Sequence, residues 1–145
     1  MSPLRRECNA GRRHVEVRNC MIARSRTSTL EVEQTELALL ELINKRAAAQ
    51  PTLKRSAASY EAASKSYARY RHHQCEYAAS LVNGQGLQRE ARLSCTYDIN
   101  LKRKQQLAEL RAALPEALPS GNTAAAPATA RPPAPTPNAA SANRR

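Results

Sequence analysis

The stretch YEAASKSYARYRHHQCEYAASLVNGQG, from Tyr60 to Gly86, decides the fold. Tyr60, Ala63, Tyr67, Tyr70, Gln74, Tyr77 and Leu81 recur in it at alternating steps of three and four, the spacing at which side chains share one face of an α-helix. Pro51 breaks the preceding run, Thr52 can cap a new helix, and Asn83, Gly84 and Gly86 supply a turn, because glycine readily takes the positive backbone angle that stops a helix. The spacing predicts a helix from about 53 to 82 whose tyrosine-rich seam is core. Downstream, Leu93, Tyr97, Leu107, Leu110 and Leu114 mark one side of a helix from about 87 to 114. Upstream, Leu30, Leu37, Leu40 and Ile43 or Asn44 recur at helical spacing, with Glu31, Glu33, Glu36 and Glu41 early and Lys45 and Arg46 late, an order that complements the helix dipole. With Thr27 to Thr29 offering capping hydroxyls, this predicts a helix from about 28 to 49. Short connections make neighbours antiparallel, so the expected fold is all-α, an elongated antiparallel helical hairpin or three-helix bundle.

Composition sets what such a bundle can bury. Of 145 residues, the last 31, Pro115 to Arg145, hold seven of nine prolines and no periodic apolar positions, so 115–145 reads as a disordered Ala/Pro-rich tail with polyproline character around Pro132 to Pro137. The remainder divides into an Arg-rich opening segment, 1–26, with the first cysteine pair, and a helical domain, 27–114. Of 60 hydrophobic residues 27 are alanine, Trp and Phe are absent and five tyrosines supply the aromatic bulk, so the interior is thin. A small domain with such an interior is marginal and calls for covalent help. Cys75 lies about nine residues before the glycine turn and Cys95 about ten after it, so the two can face each other across a hairpin, leaving Cys8 for Cys20. Two disulfides of that kind would staple the fold. The rival pairing of Cys20 with Cys75 or Cys95 stays open, since the first helix starts at the same end, and buried reduced thiols are the bland alternative.

The net charge is +11, and without the tail twenty Lys and Arg still face eleven acidic residues, +9 on the folded part. Such a surface attracts polyanions: nucleic acid, anionic lipid or acidic glycan. No run approaches the ~20 apolar residues of a membrane span. No apolar stretch of signal-peptide length comes after Met1, so either the chain stays inside the cell or its sequence lacks a leader that the newly made protein carries. His72 and Cys75 stand one helical turn apart, but there is no CxxC and no second His at ligand spacing for them or for His14 and His73, so no metal site is expected. Three histidines, scattered serines and the single aspartate, Asp98, form no nucleophile elbow or carboxylate pair, and Gly84-Gln85-Gly86 is too short to cradle a phosphate. Neither catalysis nor a cofactor is expected. Arg69, Arg71, Arg89, Arg92, Lys102, Arg103 and Lys104 carry the competing reading, in which one basic face neutralises nucleic-acid phosphates.

Tyr67-Ala-Arg-Tyr70-Arg71-His72-His73-Gln74-Cys75, then a glycine turn, then Cys95 with Arg103 eight residues on and Leu107 four beyond, resembles the pattern of the LprI-like family, small exported bacterial proteins whose name comes from a lysozyme inhibitor. Upstream, Glu16-Val17-Arg18-Asn19-Cys20, preceded by Cys8, is similar to the family's first cysteine pair. The likeness spans Cys8 to Leu114; within it Tyr67 stands where Trp is usual, His72 where Asp is usual and Asn100 where Thr is usual. The resemblance implies an all-helical, disulfide-bonded protein of the periplasm or the exterior, with Glu16, Tyr67, Tyr70, Arg71, Arg103 and Leu107 as motif residues. Its expected partner is a protein or an anionic envelope component. Lysozyme is disfavoured as that partner, because animal lysozymes are strongly basic and would be repelled by +9; the sole candidate acidic face for it is Glu31, Glu33, Glu36 and Glu41. The alternative is a basic, cytoplasmic, nucleic-acid-associated helical protein with reduced cysteines.

Overall fold

The computed structural model describes residues 2–114; the expected tail, 115–145, lies outside the described residues. Helix α1 spans Pro3–Cys8, α2 His14–Ala49, α3 Lys54–Ser80 and α4 Gln85–Ala113, with a 3-10 turn at Pro51–Leu53 and no strand among the described residues. The long helices run up, down and up, so α2 and α4 are parallel: Met21 meets Tyr97 near their starts, and Leu39 and Ile43 meet Leu107 further along. At ~1.5 Å per residue the bundle is a rod of about 50 Å. The short α1 lies across the beginnings of α2 and α4. Both local disulfides are formed, Cys8–Cys20 and Cys75–Cys95, which excludes the rival pairing and the reduced alternative in this structure.

Three expectations about the helices need correction. The first helix starts at His14, not near 28. Gly11, at φ +68°, turns the chain after α1, and the Glu16 carboxylate then accepts the Arg13 backbone N–H at 2.9 Å, closing the start of α2. No Pro or Gly interrupts it before Pro51, so Thr27 to Thr29 are interior residues and cap nothing. Ser28 is buried, and Ser28 and Thr29 instead donate back to the Ser25 carbonyl. The buried stripe of α2 is consequently Val17, Met21, Ser25, Ser28, Val32, Leu39, Ile43 and Ala47, while Leu30 and Leu37 face solvent.

The α3 seam is the third correction. Tyr60 and Tyr67 pack inward, but Tyr70, Tyr77 and Leu81 are 56%, 60% and 67% exposed. After Tyr67 the contact line leaves the seam and follows steps of four, through Arg71, Cys75 and Ala79, each turning by about 40° around the helix, while Tyr70 and Tyr77 fall on the other side. On α4, Tyr97 and Leu107 are buried as expected, whereas Leu110 is largely exposed.

Candidate functional site

The apolar interior is split in two. Leu4, Cys8, Val17, Met21 and Tyr97 form one cluster at the end holding both disulfides, and Val32, Leu39, Ile43 and Leu107 form another beyond the middle. Between them lies a polar layer to which all three long helices contribute. Asn100 of α4, fully buried, accepts from Arg71 Nη1 of α3 at 2.8 Å and donates its Nδ2 to Ser28 Oγ and Thr29 Oγ1 of α2, each at 3.0 Å. Ser28 donates its own hydroxyl to the Ser25 carbonyl at 2.8 Å, which leaves its oxygen free to accept from Asn100, and both polar atoms of the Asn100 amide are used.

One turn further along, Arg103 of α4 lies 4.6 Å from the centre of the Tyr67 ring and pairs with Glu36 of α2. Its Nε donates to Glu36 Oε1 at 2.8 Å, and its Nη2 stands at 2.8 Å from the same oxygen without hydrogen-bond alignment, an attraction of charge alone. Both side chains are almost out of solvent, where an unpaired charge would be costly, and the ring face contributes a further cation–π attraction. The hydroxyls of Tyr67 and Tyr60 reach across to backbone carbonyls of the neighbouring helices, to Ile99 at 2.9 Å and Glu36 at 3.2 Å. Burial first of all pushes the Tyr67 phenol up to about 12, and raises that of Tyr60 as well. These phenols remain protonated donors and their chemistry here is mechanical: they lock helix register.

Motif residues read from the sequence thus meet in one place. Tyr67, Arg71, Arg103 and Leu107 all lie in or beside this layer, and Leu107 is fully buried. Glu16 and Tyr70 do not join it: the first closes the start of α2, where hydrogen bonds from Arg13 hold its carboxyl below the usual range, and the second faces solvent. The four glutamates of the candidate acidic face are dispersed around α2, as residues at about 100° per step must be at these spacings. Glu36 is spent on Arg103 and Glu31 on Lys104, while Glu33 and Glu41 remain exposed at different grooves. Of the seven basic residues read as a phosphate face, Arg71, Arg92, Arg103 and Lys104 are likewise engaged, with Asn100, Glu76, Glu36 and Glu31.

Asn100, Ser25, Ser28 and Thr29 are the members of the layer that the sequence does not announce as such. Their signal is the recurrence of short hydroxyl residues at the helical step on α2, which a capping interpretation absorbs. Asp98, half-buried on α4, has its carboxyl raised chiefly by burial. Among the described residues no group of three or more His, Cys, Asp or Glu is placed to hold a metal ion, and the Cys75 sulfur beside His72 is consumed by its disulfide.

The chain matches no family model, no curated protein and no solved structure. Among the described residues no helix is long and apolar enough to cross a membrane. The geometry is thus a rod that buries one ion pair, Arg103–Glu36, between its helices and leaves most of its other charges, its outer grooves and its ends open to another molecule.

Proposed function

We propose that this chain is a non-enzymatic, exported helical binding protein of the LprI-like type, one that holds or blocks another macromolecule in the cell envelope. The observation that carries the reading is the pair of disulfides at one end of a thin bundle, since such bridges form and persist in oxidising compartments and are rare in the cytosol. The convergence of Tyr67, Arg71, Arg103 and Leu107 on one interhelical layer supports the family likeness, because a motif whose members meet in space has a reason to recur as a set. Lysozyme is not the partner favoured by this reading: two of the four candidate glutamates are already paired inside the molecule, and the folded part carries +9.

Counting reactive thiols on natively produced protein under denaturing conditions tests the assignment to an oxidising compartment. None is expected; four would refute export and return the chain to the cytoplasmic, nucleic-acid-associated reading. In a cell-wall lysis assay, excess protein should leave the rate of a basic lysozyme undiminished, and dose-dependent inhibition would show that the charge argument fails.

A further inference from the structure

Because α2 and α4 are parallel, the start of α2, the end of α3 and the start of α4 share one end of the rod, the end that carries both disulfides. Apolar side chains stand out of this tip into solvent: Leu81 at 67%, Val15 at 58% and Leu87 at 54% exposed, with Tyr77 one turn behind Leu81 on α3. Val15 and Leu87 line a cleft of about 490 Å³ between the starts of α2 and α4, together with His14, Arg18 and Arg89. No ion pair engages Arg18 or Arg89 among the described residues. The carboxylates nearby are all occupied: Glu16 with Arg13, Glu76 with Arg92, Glu90 with Arg5, and Glu7 with the Tyr97 hydroxyl.

We propose that this tip docks on the surface of an anionic phospholipid bilayer. Protruding leucines with two unpaired arginines at the same tip match the two layers that such a surface presents, acyl chains beneath and phosphates above. A protein partner would need an apolar pocket rimmed by carboxylates at matching positions, whereas any anionic bilayer presents both layers, and a nucleic-acid backbone would accept the arginines but leaves the leucines in water. Cys8–Cys20 joins α1 to α2 and Cys75–Cys95 joins α3 to α4, and the two pairs meet through Leu4, Met21 and Tyr97, so the tip keeps its shape on docking and loses little freedom there. The inference goes beyond the reading above and stands whether the chain works inside or outside the cytoplasm.

The test is flotation of the full, non-reduced chain with vesicles of phosphatidylcholine alone or of phosphatidylcholine mixed with phosphatidylglycerol, at low and high salt. Binding is expected to the mixed vesicles and to weaken with salt. Leu81→Ser with Leu87→Ser should cut the partition by about tenfold, and Arg18→Glu with Arg89→Glu by at least about as much. At the opposite end Lys45→Glu with Arg55→Glu, which changes net charge equally, should change it less than about twofold. All six positions are solvent-exposed, so the helical signal should survive in each variant. Equal binding to neutral vesicles, an equal loss from the far-end pair, an unaltered leucine variant, or capture of duplex DNA in place of vesicles would each overturn the proposal.

Discussion

Reducing the two disulfides should destabilise this molecule by an amount comparable to its whole stability. Cys8–Cys20 closes a loop with a sequence separation of 12 and Cys75–Cys95 one of 20. Loops of these lengths restrict the unfolded chain by about 3 kcal/mol each in the chain-entropy account, together about 6 kcal/mol. Domains of ordinary stability hold only about 5–15 kcal/mol in all. This one has two small apolar clusters and belongs at the low end. For the described length, 1 kcal/mol corresponds to about 4 °C in Tm, so a phosphine reductant should lower the far-UV circular dichroism melt by about 25 °C, or leave the chain unfolded at room temperature. The paired variants Cys8→Ala with Cys20→Ala, and Cys75→Ala with Cys95→Ala, should each show about half of that. A melt unmoved by complete reduction, with thiol release confirmed by mass, would refute the reasoning. It would mean that the interior suffices alone, and the physical case for an oxidising home would go with it.

Asn100→Ala strands the Arg71 guanidinium and leaves the Ser28 and Thr29 hydroxyls without their donor, and should cost about 2–3 kcal/mol in urea unfolding. A cycle with Ser28→Ala should show coupling of about 1 kcal/mol, and additivity would mean the layer is not a network. Arg103→Met alone leaves Glu36 nearly buried and unpaired, at about 3 kcal/mol, whereas Arg103→Met with Glu36→Leu should recover most of that loss; the same denaturation series decides it. The Tyr67 phenol is raised from 10 to about 12 in the folded chain, so the unfolded state releases its proton first and stability falls as pH rises through that window. Since Tyr67 is only partly buried, the loss is screened to about 1 kcal/mol, and Tyr67→Phe should flatten the curve between those pH values. Equal slopes in the two proteins would show that its hydroxyl is not held neutral by the fold.

The breaks between the three long helices were legible because residues of unusual backbone preference write them: Pro51, which cannot continue α2, and Gly84, which takes the positive φ of 94° before α4. Distance to the glycine turn favoured the local disulfide pairing but left Cys20 with Cys75 or Cys95 open, and the structure decides for Cys8–Cys20 and Cys75–Cys95. What periodicity could not settle was which side of each helix meets its neighbours. Leu30 and Leu37 look like core by residue type, yet the buried positions on α2 include Ser25 and Ser28, and no apolar pattern points to a serine. The α3 seam failed because α3 meets its neighbours along Tyr67, Arg71, Cys75 and Ala79, a line of four-residue steps that residue type does not announce and that leaves Tyr70 and Tyr77 at the surface. The charged residues misled more deeply. Glu31, Glu36, Arg103 and Lys104 read as solvent-facing patches of opposite sign, and the structure satisfies them against each other across α2 and α4.

These pairings explain how so alanine-rich a chain holds its helices in register. Two apolar clusters of four or five buried side chains resist separation but specify alignment weakly, since leucine, valine and methionine pack nearly as well after a small slide. The polar layer removes that freedom: a shift of α4 along α2 by one turn would part Asn100 from Ser28 and Arg103 from Glu36 at once, leaving buried polar groups unsatisfied. The two ends are then held by different means. The tip is fixed by sulfur bridges through α1 and α3, while the far end relies on Val32, Leu39, Ile43 and Leu107, with the partly buried Leu42, Ala57, Tyr60 and Leu114 packed against them. The layer isolates one from the other. In an intact molecule, amide exchange should therefore open the far end first, and reduction should reverse the order by loosening the end where Leu81 and Leu87 stand exposed.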